Sequence, residues 1–145
     1  MNGFHASGAL AALTLCMVAT PALAHETQPA STVVTQIRSA TTTDGRQPIT
    51  LPEGKVTVIA STYDIPAGAT LPVHKHPSAR YAYVLSGELR VTNDETGEAT
   101  DYKAGDFVVE MIDTWHLGTN TGTEVVRLLV IDQVGSDGVT VVLKE

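Results

Sequence analysis

Three histidines in this chain have the types and spacing of metal ligands. His74 and His76 are separated by one residue, and His116 lies further along in a second β-rich segment. In a β-strand, side chains at positions i and i+2 point to the same face, so the first two imidazoles would lie side by side. A third imidazole from a distant strand would complete three ligands and leave coordination positions open for water or a substrate.

Short β-strands must position these histidines, since from residue 33 onward no stretch has the periodicity of an amphipathic helix. The chain instead alternates short runs of β-branched and aromatic residues with turns rich in Gly, Pro, Asn and Asp. Many short strands without helices predict an all-β fold, an antiparallel sandwich or barrel. We predict strands at residues 33–38, 55–65, 70–74, 80–86, 88–92, 98–102, 106–111, 115–120, 124–134 and 139–143.

The residues around the first histidine pair follow a regular spacing. Gly68 is followed by five residues, then His74 and His76, then three residues, Arg80, six residues and Gly87. This arrangement resembles the first motif of the cupin superfamily. In that family a glutamate ligand stands at the position of Arg80.

A second segment has the spacing of the second cupin motif. Gly105 is followed by five residues and then Met111. Met111 and Asp113 stand where the family has proline and glycine, whereas His116 and Asn120 match it. Because both motifs occur in the right order, the chain resembles a small single-domain cupin of the type-2 kind.

The resemblance covers about residues 55–134 and implies an antiparallel double-stranded β-helix, or jelly-roll cupin barrel. It implies that His74, His76 and His116 are metal ligands inside the barrel and that Asn120 is structural. Imidazole ligands suit a divalent transition metal, whether Fe, Mn, Ni, Cu or Zn, and the sequence does not choose among them. The fold carries many functions, so function has to be argued from the site.

Arg80 cannot replace the family's glutamate as a ligand, because arginine stays protonated and offers only hydrogen-bond donors. Three arrangements are consistent with the sequence. In the first, the histidines hold the metal alone, as in cysteine dioxygenase-like cupins, and Arg80 contacts a substrate anion or pairs with Glu110. In the second, Glu110 on the strand of the second motif supplies the missing carboxylate. In the third, no metal binds and the histidines form an anion-binding cavity with Arg80.

The N-terminal segment predicts export. Residues 1–24 have the pattern of a secretory signal peptide, an apolar run too short to span a bilayer followed by a small-residue cleavage site at Ala24. Cleavage would remove Cys16, the single cysteine, and leave no disulfide. We predict a flexible tail at residues 25–32, a barrel domain at 33–145, and a secreted protein that is periplasmic in a Gram-negative cell.

The charge distribution argues against some classes of binding partner. The formal net charge is −7, and lysine and arginine are not clustered. Nucleic acids and anionic membranes bind clustered positive charge, so we expect neither as a partner once the signal is cleaved. We expect a small-molecule ligand or substrate. The β-branched run at residues 139–143 is a candidate edge for a homodimer.

Two classes of function remain open at this stage. One is a metal-dependent, dioxygenase-like cupin that acts on a small anionic or aromatic substrate. The alternative is a non-catalytic cupin that binds a small anion in the periplasm, with or without a metal. The sequence shows no acid–base pair beyond the site itself, so it does not distinguish an enzyme from a binding module.

Overall fold

A computed structural model describes residues 31–145. The signal peptide predicted at residues 1–24 and most of the tail predicted at 25–32 lie outside the described residues. Nothing in residues 31–145 forms a helix long and apolar enough to cross a membrane. Within this range the strands are β1 (Thr57–Ile65), β2 (His74–Lys75), β3 (Arg80–Ser86), β4 (Glu88–Asn93), β5 (Ala99–Lys103), β6 (Phe107–Val109), β7 (His116–Asn120), β8 (Val126–Val134) and β9 (Val142–Leu143).

The strands form two antiparallel sheets. The four-stranded sheet has the order β1-β8-β3-β6, and the five-stranded sheet has the order β5-β4-β7-β2-β9. Neighbours in space are often distant in sequence, as in β3 and β8, which is typical of a jelly roll. The prediction of an all-β jelly-roll fold is therefore confirmed.

One predicted strand was wrong. Residues 33–38 have no regular secondary structure, and Val33, Val34 and Ile37 are exposed. Arg38 instead pairs with Asp44 and donates a hydrogen bond to the carbonyl of Phe107 on β6 at 2.7 Å. A run of β-branched residues forms a strand only where a neighbouring strand accepts it, and none does here within the described range. Each of the other predicted runs overlaps an observed strand.

Alternation along β3 and β8 builds the interior. On β3, Ala82 and Val84 are buried, and on β8 the buried apolar residues include Val126 and Val130. Because inward-facing positions recur every second residue, the same rows also carry charged side chains inward, as Arg80 on β3. The barrel therefore has an apolar part and a polar part within one interior.

Two features of the motifs are structural. The amide group of Asn120 donates hydrogen bonds to the carbonyls of Ile65 (2.9 Å) and Glu124 (2.7 Å), as expected from the resemblance. Gly87 has a φ of 86°, and a Cβ placed there would lie 2.8 Å from the Cα of Val126. Only glycine fits this turn without moving backbone.

The C-terminal strand completes the five-stranded sheet. β9 pairs with β2, and it is the last strand in that sheet's order. Part of the run at residues 139–143 is thus an edge within the described part of the chain. Homodimer formation through it stays a prediction.

A candidate metal centre

The strand pairing brings the three histidines together. His74 on β2 lies directly opposite His116 on β7. His76 follows two residues later and forms a parallel bridge with Ile112. The ring centroids are 4.5 Å apart for His74 and His116, 4.9 Å for His74 and His76, and 5.0 Å for His76 and His116. All three side chains are buried.

Each imidazole is held in the same tautomer by a backbone carbonyl. In every case Nδ1 lies 2.8 Å from the oxygen, and because a carbonyl only accepts, Nδ1 carries the proton. The Nε2 lone pair is then left free, which is how backbone-anchored histidines commonly present themselves to a metal. For His74, His76 and His116 in turn, the carbonyls belong to Pro72, Thr140 and Thr114.

Glu110 joins the three histidines. Its Oε2 lies 3.0 Å from Nε2 of His116 and 3.2 Å from Nε2 of His76. One ligand atom from each of the three histidines and from Glu110 lies within 4.8 Å of all the others. Burial acts to raise the pKa of Glu110, but the hydrogen bond from His116 and the nearby imidazoles of His116 and His76 outweigh it and hold the pKa far below its usual range.

This donor set fits a divalent metal. Nε2 of His76 is buried and makes no hydrogen bond within the described part of the chain, although a carboxylate oxygen lies close to it. With Nδ1 protonated, that nitrogen is a lone pair facing another acceptor, and a cation would satisfy both. Three imidazole nitrogens and one carboxylate oxygen suit first-row transition metals.

The two histidines opposite each other titrate differently. Burial lowers the pKa of His74, and the neighbouring His116 and His76 add to this. Burial also acts to lower the pKa of His116, but the hydrogen bond and charge of Glu110 outweigh it and raise the pKa. In the metal-free site, a proton on His116 thus takes the place that a cation would occupy beside Glu110.

Arg80 pairs with a residue that the sequence analysis did not identify. Its Nε lies 2.6 Å from Oδ1 of Asp132, and its Nη2 lies 3.2 Å from Oδ2. The side chains are only 4% and 5% exposed. Burial acts to lower the pKa of Arg80, but Asp132 and then Glu110 outweigh it, so the guanidinium remains charged. The alternation of buried residues along β8 placed Asp132 inward and could have identified it.

Arg80 and Glu110 nevertheless lie next to each other. Arg80 lies opposite Asp132 on β8, and on the other side the backbone N–H of Glu110 donates to the carbonyl of Arg80 at 3.0 Å. The carboxylate beside the histidines is therefore not at position 80, where the first motif of the family has its glutamate. Glu110, the neighbour of Arg80 across the sheet, supplies it. Asp132, Arg80 and Glu110 form a row of alternating charge that ends at the histidines.

The second-motif substitution at Asp113 keeps the required backbone. Its φ is 49°, in the left-handed region that favours glycine and that aspartate tolerates. The N–H of Asp113 donates to the carbonyl of His76 at 2.8 Å, and its carboxylate lies 3.0 Å from Nζ of Lys75. The turn that precedes His116 thus retains its shape without the glycine.

Three of the four cluster residues border a cavity of about 230 Å³. His74, His116, Glu110 and Arg80 line its polar end, and Tyr63 adds a further polar side chain. This volume is below the range of about 300–1,000 Å³ that is usual for ligand pockets, so it suits a small molecule. Most of the remaining wall is apolar and includes Leu71, Leu89, Val91, Leu128, Val130 and Leu143.

Comparisons with known proteins agree with this architecture. A family model described as "Cupin domain" matches residues 61–132. Among curated proteins, no sequence matches the chain. Among solved structures, 124 chains match.

Three of these structures illustrate the likeness. An oxalate decarboxylase from Lactobacillus farciminis, solved as a formate complex, has a TM-score of 0.52 and 23% identity, with 60% of this chain and 26% of that chain covered. An uncharacterized conserved protein with a double-stranded β-helix domain from Klebsiella pneumoniae has a TM-score of 0.52 and 21% identity, with 67% of this chain and 90% of that chain covered. The DMSP lyase DddQ from Ruegeria pomeroyi has a TM-score of 0.50 and 24% identity, with 60% of this chain and 43% of that chain covered.

The alignment thus spans about a quarter of the oxalate decarboxylase chain. At these identities the likeness establishes the fold, and the chemistry has to come from this chain's own residues.

Proposed function

The chain belongs to the cupin superfamily, and from that premise we propose that it is a metal-dependent cupin in which three histidines and Glu110 hold one divalent transition metal. The observation that carries the proposal is the common orientation of His74, His76 and His116. Each is anchored through Nδ1, and the ligand atoms converge with a carboxylate oxygen within 4.8 Å. Without a cation or a proton, buried lone pairs would face one another at considerable cost.

We propose further that the protein is an oxygenase-like enzyme for a small anionic or aromatic molecule. A bound metal of this class would supply Lewis-acid chemistry and, if it is redox-active as Fe, Mn, Ni and Cu are, one-electron chemistry as well. The chain's own residues would position the substrate and shield the metal from water. The apolar wall excludes water from the metal end, and Arg80 offers a fixed positive charge beside it.

Metal content tests the first part of the proposal. Protein purified without a tag that binds metals should contain about one transition metal per chain by elemental analysis. Glu110→Gln should bind the metal at least about tenfold more weakly, because it removes the only anionic ligand of the cluster. Glu98→Gln, an exposed glutamate between β4 and β5, is the matched control and should bind as the wild type does. Equal affinity in both variants would contradict the assignment.

A non-catalytic binding protein is the second candidate, and one observation favours it. Apart from the cluster residues, the polar side chains lining the cavity in the described range are Tyr63 and Arg80, and Arg80 is already paired. No independent acid–base pair is therefore available for proton transfer. Oxygen uptake by metal-loaded protein with a panel of small acids and aromatics decides between the two. Ligand binding without consumption of oxygen or ligand would identify a binding module.

We also propose that the chain is exported, on the basis of the N-terminal sequence pattern described above.

A further inference from the structure

Arg80 has one donor group left over. Nε and Nη2 both bond to Asp132, side-on, whereas Nη1 makes no hydrogen bond to any residue between 31 and 145. Arg80 lines the cavity together with Glu110, and its guanidinium carbon lies 5.7 Å from the centre of the Tyr63 ring. The pair with Asp132 fixes the plane of the guanidinium, so the remaining amino group is held in place for an acceptor.

The charges at the polar end of the cavity do not sum to zero once a divalent metal is bound. The three imidazoles are neutral when they bind through Nε2, and Glu110 and Asp132 each carry one negative charge. Arg80 carries one positive charge, and a divalent cation would carry two. The sum is one positive charge in a largely buried site, where an uncompensated charge is unfavourable.

We infer that the cavity binds a small monocarboxylate with an apolar body, its carboxylate held by Nη1 of Arg80 beside the metal and its body against the aliphatic wall. The inference rests on the proposed metal function and names its substrate class. A single negative charge balances the site, and a carboxylate matches the geometry of a guanidinium donor. Leu71, Leu128 and Val130 then contact an apolar group that carries no charge.

Other ligand classes fit less well. A dicarboxylate such as oxalate would leave one negative charge in excess, and Arg80 is the only arginine or lysine among the lining residues within the described range. A neutral ligand would leave the positive charge uncompensated and the Nη1 donor without an anionic partner. A large ligand would exceed the cavity volume of about 230 Å³.

Calorimetric titration of zinc-loaded protein tests the inference without depending on turnover. The ligands are benzoate, the isosteric neutral benzamide, and oxalate. Zinc content is measured first on the same sample. We expect benzoate to bind at least tenfold more tightly than benzamide and more tightly than oxalate. Equal binding of benzoate and benzamide, or tighter binding of oxalate, would overturn the inference while leaving the metal proposal intact.

A paired variant separates the arginine from the metal, since a carboxylate can also bind zinc directly. Arg80→Met/Asp132→Leu removes both charges of the buried pair and leaves the net charge unchanged. It should retain zinc and lose most of the tenfold preference for benzoate. An undiminished preference in the double variant would show that Arg80 does not hold the carboxylate. Failure of the wild-type protein to bind zinc would instead refute the proposed function, and the inference with it.

Discussion

Removing the carboxylate of Asp132 should destabilise the protein severely, because it leaves Arg80 charged and buried without its partner. The two side chains are 5% and 4% exposed. Losing one member of a buried ion pair costs roughly 3–5 kcal/mol of unfolding free energy. For a domain of this size each kcal/mol corresponds to about 3–5 °C in Tm, so Asp132→Ala should lower the Tm by about 10–25 °C.

The chain contains a matched control on the same strand. Arg127 of β8 pairs with Asp64 of β1 in the same side-on geometry, with Nε–Oδ1 at 2.6 Å and Nη2–Oδ2 at 2.8 Å. Those two side chains are 57% and 50% exposed, so water screens the pair and replaces it when it is broken. Asp64→Ala should therefore leave the Tm within the repeat error of the measurement. The comparison isolates burial from hydrogen-bond geometry.

Thermal melts in the presence of a chelator provide the assay, so that metal binding does not contribute. The set comprises Asp132→Ala, Arg80→Met, the double variant Arg80→Met/Asp132→Leu, and Asp64→Ala. The single changes at the buried pair should each be severe, whereas the double variant should be close to the wild type, since a buried ion pair replaced by apolar residues is often neutral. A double variant at least as unstable as the two single variants, or equal shifts for Asp132→Ala and Asp64→Ala, would refute the reasoning.

Four further predictions concern the site, its surroundings and the N-terminus. Metal content after dialysis should fall as the pH falls through the raised pKa of His116, beginning above pH 6.5, because a proton there competes with the cation; retention of all metal at pH 5 would contradict this. In the metal-free protein the pH dependence is the opposite. The raised pKa of His116 stabilises the fold below pH 6.5, and chemical denaturation should show that this stabilisation is lost as the pH rises through that pKa. Asp113→Gly should leave the Tm and metal content unchanged, whereas Asp113→Val should lower the Tm, because valine is strained at a φ of 49°. Mass spectrometry of the exported protein should find His25 at the N-terminus, and an intact Met1 would contradict the signal peptide.

The sequence was sufficient for the parts of the site that depend on local spacing. His74 and His76 share a face because strand side chains alternate, and His116 follows from the second motif. Glu110 was identified by the same alternation, as either a ligand or a partner of Arg80. The structure places it with the histidines.

The partner of Arg80 could not be predicted from the spacing of residues in the sequence. β3 has a neighbour on each side, β6 and β8, and either could have supplied a carboxylate. Sequence analysis considered only Glu110, which directly follows β6, the nearer strand in sequence. The choice of Asp132 follows from the register between β3 and β8, two strands that pair in the sheet although they are far apart in sequence.

The hydrogen bond from His76 to the carbonyl of Thr140 has a consequence for the order in which the site assembles. The bonds that anchor His74 and His116 join residues two apart in sequence and can form early in folding. The bond that anchors His76 joins residues 64 apart, and it forms only when β9 pairs with β2. Until then the chain lacks that anchor for His76. The complete coordination site can form, and can select its metal, only once β9 has joined the sheet.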